Sequence, residues 1–168
     1  TMNTQEQIAL IGAGPSGLAG ARAMQKAGVA FQGFEAWSDV GGLWNIENPR
    51  STVYESAHLI SSKTTTEFSE FPMPVGTPDY PGHAALLQYF RAYAEHFGLK
   101  KHFRFGTRVL KVEPVSDAPD TLWRVTVQAA GGAEETAEYK GVVIANGTLA
   151  EPNLPKFEGQ FDGELLHT

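Results

Sequence analysis

The sequence predicts an α/β fold built on a parallel β-sheet, and three observations predict it. A short apolar run, Ile8 to Ile11, leads straight into the glycine-rich turn Gly12-Ala13-Gly14-Pro15-Ser16-Gly17. A helical stretch of small residues follows, and a second β-type run, Val29 to Phe34, ends in an acid, Glu35. Far downstream, Gly141 to Ala145 is wholly apolar and is expected to be a final core strand, covered on both faces.

A lone G-x-G-x-x-G is weak evidence. Placed after a strand, opening a helix and followed by an acid eighteen residues beyond its last glycine, it reads as a dinucleotide site. Gly12 permits the tight turn off the strand, and Gly14 leaves the backbone bare for a pyrophosphate. Gly17 allows close packing of helix on strand. Pro15 and Ser16 sit at the helix start, where unpaired N–H groups and roughly half a positive charge attract an anion. Glu35 can accept hydrogen bonds from a ribose, each worth about 1.5–3 kcal/mol when charge-assisted.

The remaining elements follow in order. The first helix is expected from Pro15 to Ala27, with Leu18, Ala21, Met24 and Gln25 on one side and Gly28 as its stop. Residues 37–44 are turn-rich, with Gly41-Gly42 between two tryptophans. Residues 45–81 carry little periodicity, and Pro72, Pro74, Pro78 and Pro81 punctuate them. A loop this long is usually functional. Its aromatics, Trp44, Tyr54, Phe68, Phe71 and Tyr80, predict that it is packed down.

From Gly82 to Phe97 the pattern turns helical, with Ala85, Leu86, Tyr89, Phe90, Tyr93, Ala94 and Phe97 in one stripe and Gly98 ending it. Strands are expected at Phe103–Phe105, Arg108–Pro114, Leu122–Ala129 and Glu134–Tyr139, the last two joined by a hairpin at Gly131-Gly132. The closing segment, with Pro152 and Pro155, reads as irregular. A β-meander thus interrupts a doubly wound sheet, as in the FAD domains of two-dinucleotide flavoproteins rather than in simple dehydrogenases.

Composition narrows the classes. The 168 residues make one domain, long enough to bury roughly 70% of the unfolded surface. A net charge of −6 with no basic block argues against nucleic acid and anionic membranes as partners. No apolar run approaches the length of a membrane helix, and the polar start lacks a signal core, so a cytoplasmic location is expected. The absence of cysteine removes the thiol pair that flavin disulfide reductases need. His83, His96 and His102 show no ligand spacing, and no metal site is expected. Ser16 lacks the nucleophile elbow.

On these residues the chain resembles the flavin-containing monooxygenases over nearly its whole length. Gly12-x-Gly14-x-x-Gly17 with Glu35 is similar to the family's FAD fingerprint, and Gly41-Gly42-Leu43-Trp44 to the segment that follows it. Tyr54 through Lys63 and then 68–74 resemble the stretch that passes the flavin ring. Ala145-Asn146-Gly147 resembles the link out of the FAD domain. Phe161-Asp162-Gly163-Glu164-Leu165-Leu166-His167 fits the first seven positions of the signature shared with Baeyer–Villiger monooxygenases.

The resemblance implies residues 1–168 as the N-terminal part of an FAD-binding domain, a fragment lying before an NADPH domain and a C-terminal return. It implies FAD and NADPH as cofactors and a small-molecule substrate. In the family, NADPH reduces FAD, O2 adds at the flavin C4a, and the hydroperoxide oxygenates nitrogen or sulfur. The cofactor-binding candidates are Gly12, Gly14, Pro15, Ser16, Gly17, Glu35, Gly42, Leu43 and Trp44; no catalytic residue is assigned. One position departs: Ile60 stands where the family often has asparagine, with Ser61, Ser62 and His58 as neighbouring polar groups. Lys63 is either a solvated charge or near the cofactors, and His58 reads as structural. A ketone-oxygenating Baeyer–Villiger enzyme is the enzymatic alternative. A non-catalytic nucleotide-binding module, inactive alone and prone to self-association as a homo-oligomer, is the other.

Overall fold

The computed structural model describes residues 3–166. At its centre β1 (Ile8–Ile11) pairs in parallel with β2 (Phe31–Phe34) on one side and with β7 (Gly141–Ile144) on the other. With β3 (Phe103–Arg104) beyond β2, the four-stranded sheet has the order β3-β2-β1-β7. The register aligns Ile11, Phe34 and Ile144 at one edge, so three strands end together. Inside β2, Gly33 is required by its neighbour, because a Cβ there would enter the ring of Phe103.

The crossover helix α1 (Pro15–Ala27) begins on Gly14 and ends on Gly28, whose φ of +67° is the left-handed stop that glycine favours. Val29 still donates to Met24 O at 3.0 Å and is exposed. The second strand therefore starts at Phe31 rather than Val29: the helix cap occupies the residues expected to extend it.

Two short elements in the long loop were not anticipated, a 3-10 turn at Gly42–Trp44 and the one-turn helix α2 (Lys63–Thr66). Phe68 and Phe71 are packed as expected, against Tyr89 and Tyr93 of α3 (His83–His96). Tyr89 Oη accepts from Phe68 N at 2.7 Å and donates to Phe71 O at 2.6 Å, tying the loop to the helix. Tyr54 and Tyr80 instead stand 68% and 55% exposed, so packing covers only part of the loop. On α3 the buried stripe is Leu86, Leu87, Tyr89, Phe90, Tyr93 and Ala94. Ala85 faces solvent and Leu87 takes the inward place, against Gly41.

The meander forms its own antiparallel sheet, β4 (Thr107–Pro114), β5 (Trp123–Ala129) and β6 (Glu134–Tyr139), with a bulge between Val109 and Lys111. Val125, Val127 and Tyr139 pack onto Ala9 and Phe34 of the parallel sheet and make a second core. Arg104 clamps the same junction through paired bonds to Glu135 of 3.0 and 3.1 Å. Beyond β7, residues 145–166 contain no regular element.

Candidate functional site

Parallel strands leave a crevice beyond their carboxyl ends, where the connections part to either side of the sheet. Here a cleft of about 650 Å3 opens at that edge. Ile11, Gly12, Phe34, Glu35 and Ile144 line its floor from the ends of β1, β2 and β7, together with Gly14, Pro15 and Ser16.

Two of the glycines in this region, Gly12 and Gly17, are there because of what touches them. A Cβ on Gly12, whose φ is +98°, would collide with Ala145 O; one on Gly17 would collide with Gly12 O. Gly14 faces Gly42 backbone to backbone, the position of a Cβ on Gly42 lying 3.0 Å from Gly14 Cα. The floor between them is bare main chain. Above it the first turn of α1 leaves the N–H groups of Ser16 and Gly17 without intrahelical partners, while Leu18 N already bonds Gly14 O at 2.9 Å.

Glu35 is 8% exposed and its carboxylate is already engaged. Oε2 accepts from Ala13 N at 2.7 Å and Oε1 from Trp37 N at 2.8 Å. The side chain thus ties the glycine turn to the end of β2. Each oxygen has a further lone-pair direction, and the residue lines the cleft. The opposite wall is the 3-10 turn: Gly41 N donates to Ala13 O at 3.0 Å, and Gly42, Leu43 and Trp44 line the cleft.

Of the nine residues expected at a cofactor, eight line this cleft. Gly17 does not, because it lies buried beneath Gly12 O and serves packing. The sequence reading missed Asn48, Arg50, Thr107, Arg108 and Val109, which also line it. They reach it from the loop and from β4, and no local pattern marks them. Arg50 Nη2 lies 3.1 Å from Glu151 across the mouth.

The stretch compared with the flavin-passing segment lies elsewhere. Tyr54, His58, Ile60 and Lys63 are not in the cleft lining, and Ile60 is 96% exposed. His58 is exposed, with Nδ1 3.3 Å from Ser56 O, and bridges to Gly82 through its backbone. The Lys63 ammonium donates to Thr77 O. His167 lies outside the described residues. Among the described residues, no group of three or more histidines and carboxylates could hold a metal, and no helix is long and apolar enough to cross a membrane. The bare glycine floor, the free helix N–H groups and the acid at its edge fit a dinucleotide in chemistry.

Known proteins are similar to this chain in sequence and in fold. The family model of flavin-binding monooxygenase-like proteins matches residues 5–168. Dimethylaniline monooxygenase (N-oxide-forming) 2 of Rattus norvegicus is 36% identical over 172 residues, covering 97% of this chain and 32% of its own length. The chain therefore spans about a third of that curated relative. The structure of S-allyl-L-cysteine S-oxygenase from Allium sativum superposes with a TM-score of 0.80 at 24% identity, over 91% of this chain and 39% of that one. OTEMO in complex with FAD and NADP gives a TM-score of 0.74 at 25% identity, over 94% of this chain and 28% of that one. The fold is that of a Rossmann-type FAD-binding domain, and the chain belongs to the flavin-binding monooxygenase-like family.

Proposed function

We propose that this chain is the FAD-binding portion of an NADPH-dependent monooxygenase that oxygenates nitrogen- or sulfur-containing small molecules. The observation that carries the reading is the single cleft in which Gly12, Gly14 and Gly42 bare the main chain beside Glu35. In this reading the diphosphate lies over Gly14 and the Ser16 N–H group at the start of α1, where the helix dipole favours an anion. Glu35 takes the adenosine ribose hydroxyls on its remaining lone pairs, and Leu43 and Trp44 wall the cleft on the far side. Arg108 adds positive charge to the same space, while Arg50 in the lining is paired with Glu151. When bound, FAD would supply the redox chemistry and the activation of O2; the side chains described here bind and orient it and keep water off it. The nicotinamide cofactor is suggested by the OTEMO complex with FAD and NADP and nitrogen oxygenation by the N-oxide-forming relative, and no residue of this cleft is assigned to either.

Titration of the purified chain with FAD, followed by flavin fluorescence, tests the reading. Saturable binding is expected, and Glu35→Ala should weaken it by about one to two powers of ten, the equivalent of one charge-assisted hydrogen bond. Equal affinities would remove the ribose assignment, and no binding by the wild type would remove the function. Substrate-dependent NADPH oxidation is expected to be absent for this chain alone.

A further inference from the structure

Gly41 and Gly42 are adjacent glycines with positive φ, +111° and +57°. Such a pair has wide conformational freedom unless something holds it, yet it forms a wall of the cleft. Ser51 Oγ donates to Leu43 O and Trp44 N to Gly41 O within the loop, and a further hold lies outside the cleft. Asp39, two residues before Gly41, accepts from Arg91 Nε at 2.7 Å and from Lys100 Nζ at 2.8 Å. Arg91 belongs to α3 and Lys100 to the turn that follows it; none of the three lines the cleft. The next residue, Val40, is fully buried. Then Gly41 N reaches Ala13 O at 3.0 Å, and Leu87 of α3 fills the space a Gly41 side chain would need.

From this geometry we infer that Arg91 and Lys100, acting through Asp39, are positioning residues that hold the Gly41–Trp44 loop in its dinucleotide-receiving shape. The inference rests on the FAD reading for its ligand but not for its mechanism. A loop ordered in advance loses less freedom on binding, so the clamp sets affinity without touching ligand. Burial works to raise the Asp39 pKa, but hydrogen bonds from Lys100, the Val40 N–H and Arg91 outweigh it and hold the carboxyl below its ordinary value. The carboxylate is therefore charged throughout the neutral range. An exposed pair would contribute little; here one carboxylate, 21% exposed, gathers two cations.

Hydrogen–deuterium exchange on the 168-residue chain without added ligand reads the clamp directly. Asp39→Asn should speed exchange at the Gly41–Trp44 amides at least several-fold while the amides of β1 and α1 keep their protection. The Arg91→Gln/Lys100→Gln pair should reproduce this, adding Asp39→Asn to that pair should change nothing further, and Arg91→Lys should retain most of the protection. FAD affinity should fall about tenfold in Asp39→Asn, the factor that corresponds to about 1.4 kcal/mol. Unchanged exchange at 41–44, additive effects in the triple variant, or equal loss of protection across the whole chain would each overturn the clamp. If the wild type binds no FAD while loop exchange behaves as expected, the FAD reading fails and the clamp on the loop stands.

Discussion

Gly14 and Gly17 are three residues apart in one motif and do different work. A Cβ on Gly17 would meet the backbone oxygen of Gly12, which has nowhere to move inside the strand–helix joint. A Cβ on Gly14 would meet only the Gly42 backbone, Cα at 3.5 Å and N at 3.9 Å, both ordinary contacts. Gly17→Ala should therefore lower stability by about 1–3 kcal/mol or more, as overpacking does. Gly14→Ala should leave the melting temperature nearly unchanged while raising the floor of the cleft and weakening FAD. Thermal melts beside FAD titrations separate the two; a Gly14→Ala variant that melts well below wild type would contradict the assignment of that glycine to the ligand side. Glu35 shows the same double character in one residue, since its carboxylate binds two backbone amides before any ligand arrives.

At the scale of elements, α3 organises the loops around it. Its buried aromatics receive Phe68 and Phe71, its Leu87 meets Gly41, and its Arg91 holds Asp39. The Tyr89 hydroxyl has the most specific task, closing the turn between Phe68 and Phe71 with two hydrogen bonds from a side chain 4% exposed. Tyr89→Phe keeps the ring packing but removes both hydrogen bonds from a part-buried N–H and C=O, which should cost about 1 kcal/mol. Urea unfolding would measure it, and a loss below a few tenths would mean that water reaches the turn. Tyr93, beside it, has its phenol pushed up to about 12 by burial and by the neighbouring Glu70 carboxylate, so it stays protonated at any pH the fold meets.

Across the whole molecule, the parallel sheet and the meander share one seam. Phe34, 2% exposed, packs edge-on to Tyr139 at a centroid distance of 6.1 Å and also lines the cleft. Removing its ring opens the seam from both sides. Phe34→Ala should cost about 3–5 kcal/mol, the range for deleting a core aromatic, and calorimetry would show it; a shift equivalent to less than about 1 kcal/mol would mean that the two sheets are held by something else. Stability and site geometry are joined at this residue, because the β4 residues Thr107 to Val109 reach the cleft only when the meander is seated.

Read alone, the chain determined the glycine turn, the acid that closes β2 and the meander, because each is written in local periodicity or in a residue type that one backbone shape demands. The apolar run Gly141 to Ala145 does form a strand, but not the covered core strand expected: β7 is the edge of the four-stranded sheet, with Val143 39% and Ile144 65% exposed. The chain also carried the family resemblance that the family match bears out. It left unmarked what depends on partners distant in sequence. Ala85 and Leu87 look alike in a helical pattern, and only the approach of Gly41 decides that Leu87 turns inward. Tyr54 and Phe68 are both aromatic loop residues, yet only Phe68 finds a helix face to pack on. Arg108 lines the cleft because the bulged strand β4 starts beside Glu35, Thr107 N bonding Glu35 O at 2.9 Å. Tertiary structure alone decided these points, since burial and alignment are properties of surfaces that meet after folding, and no single segment contains both.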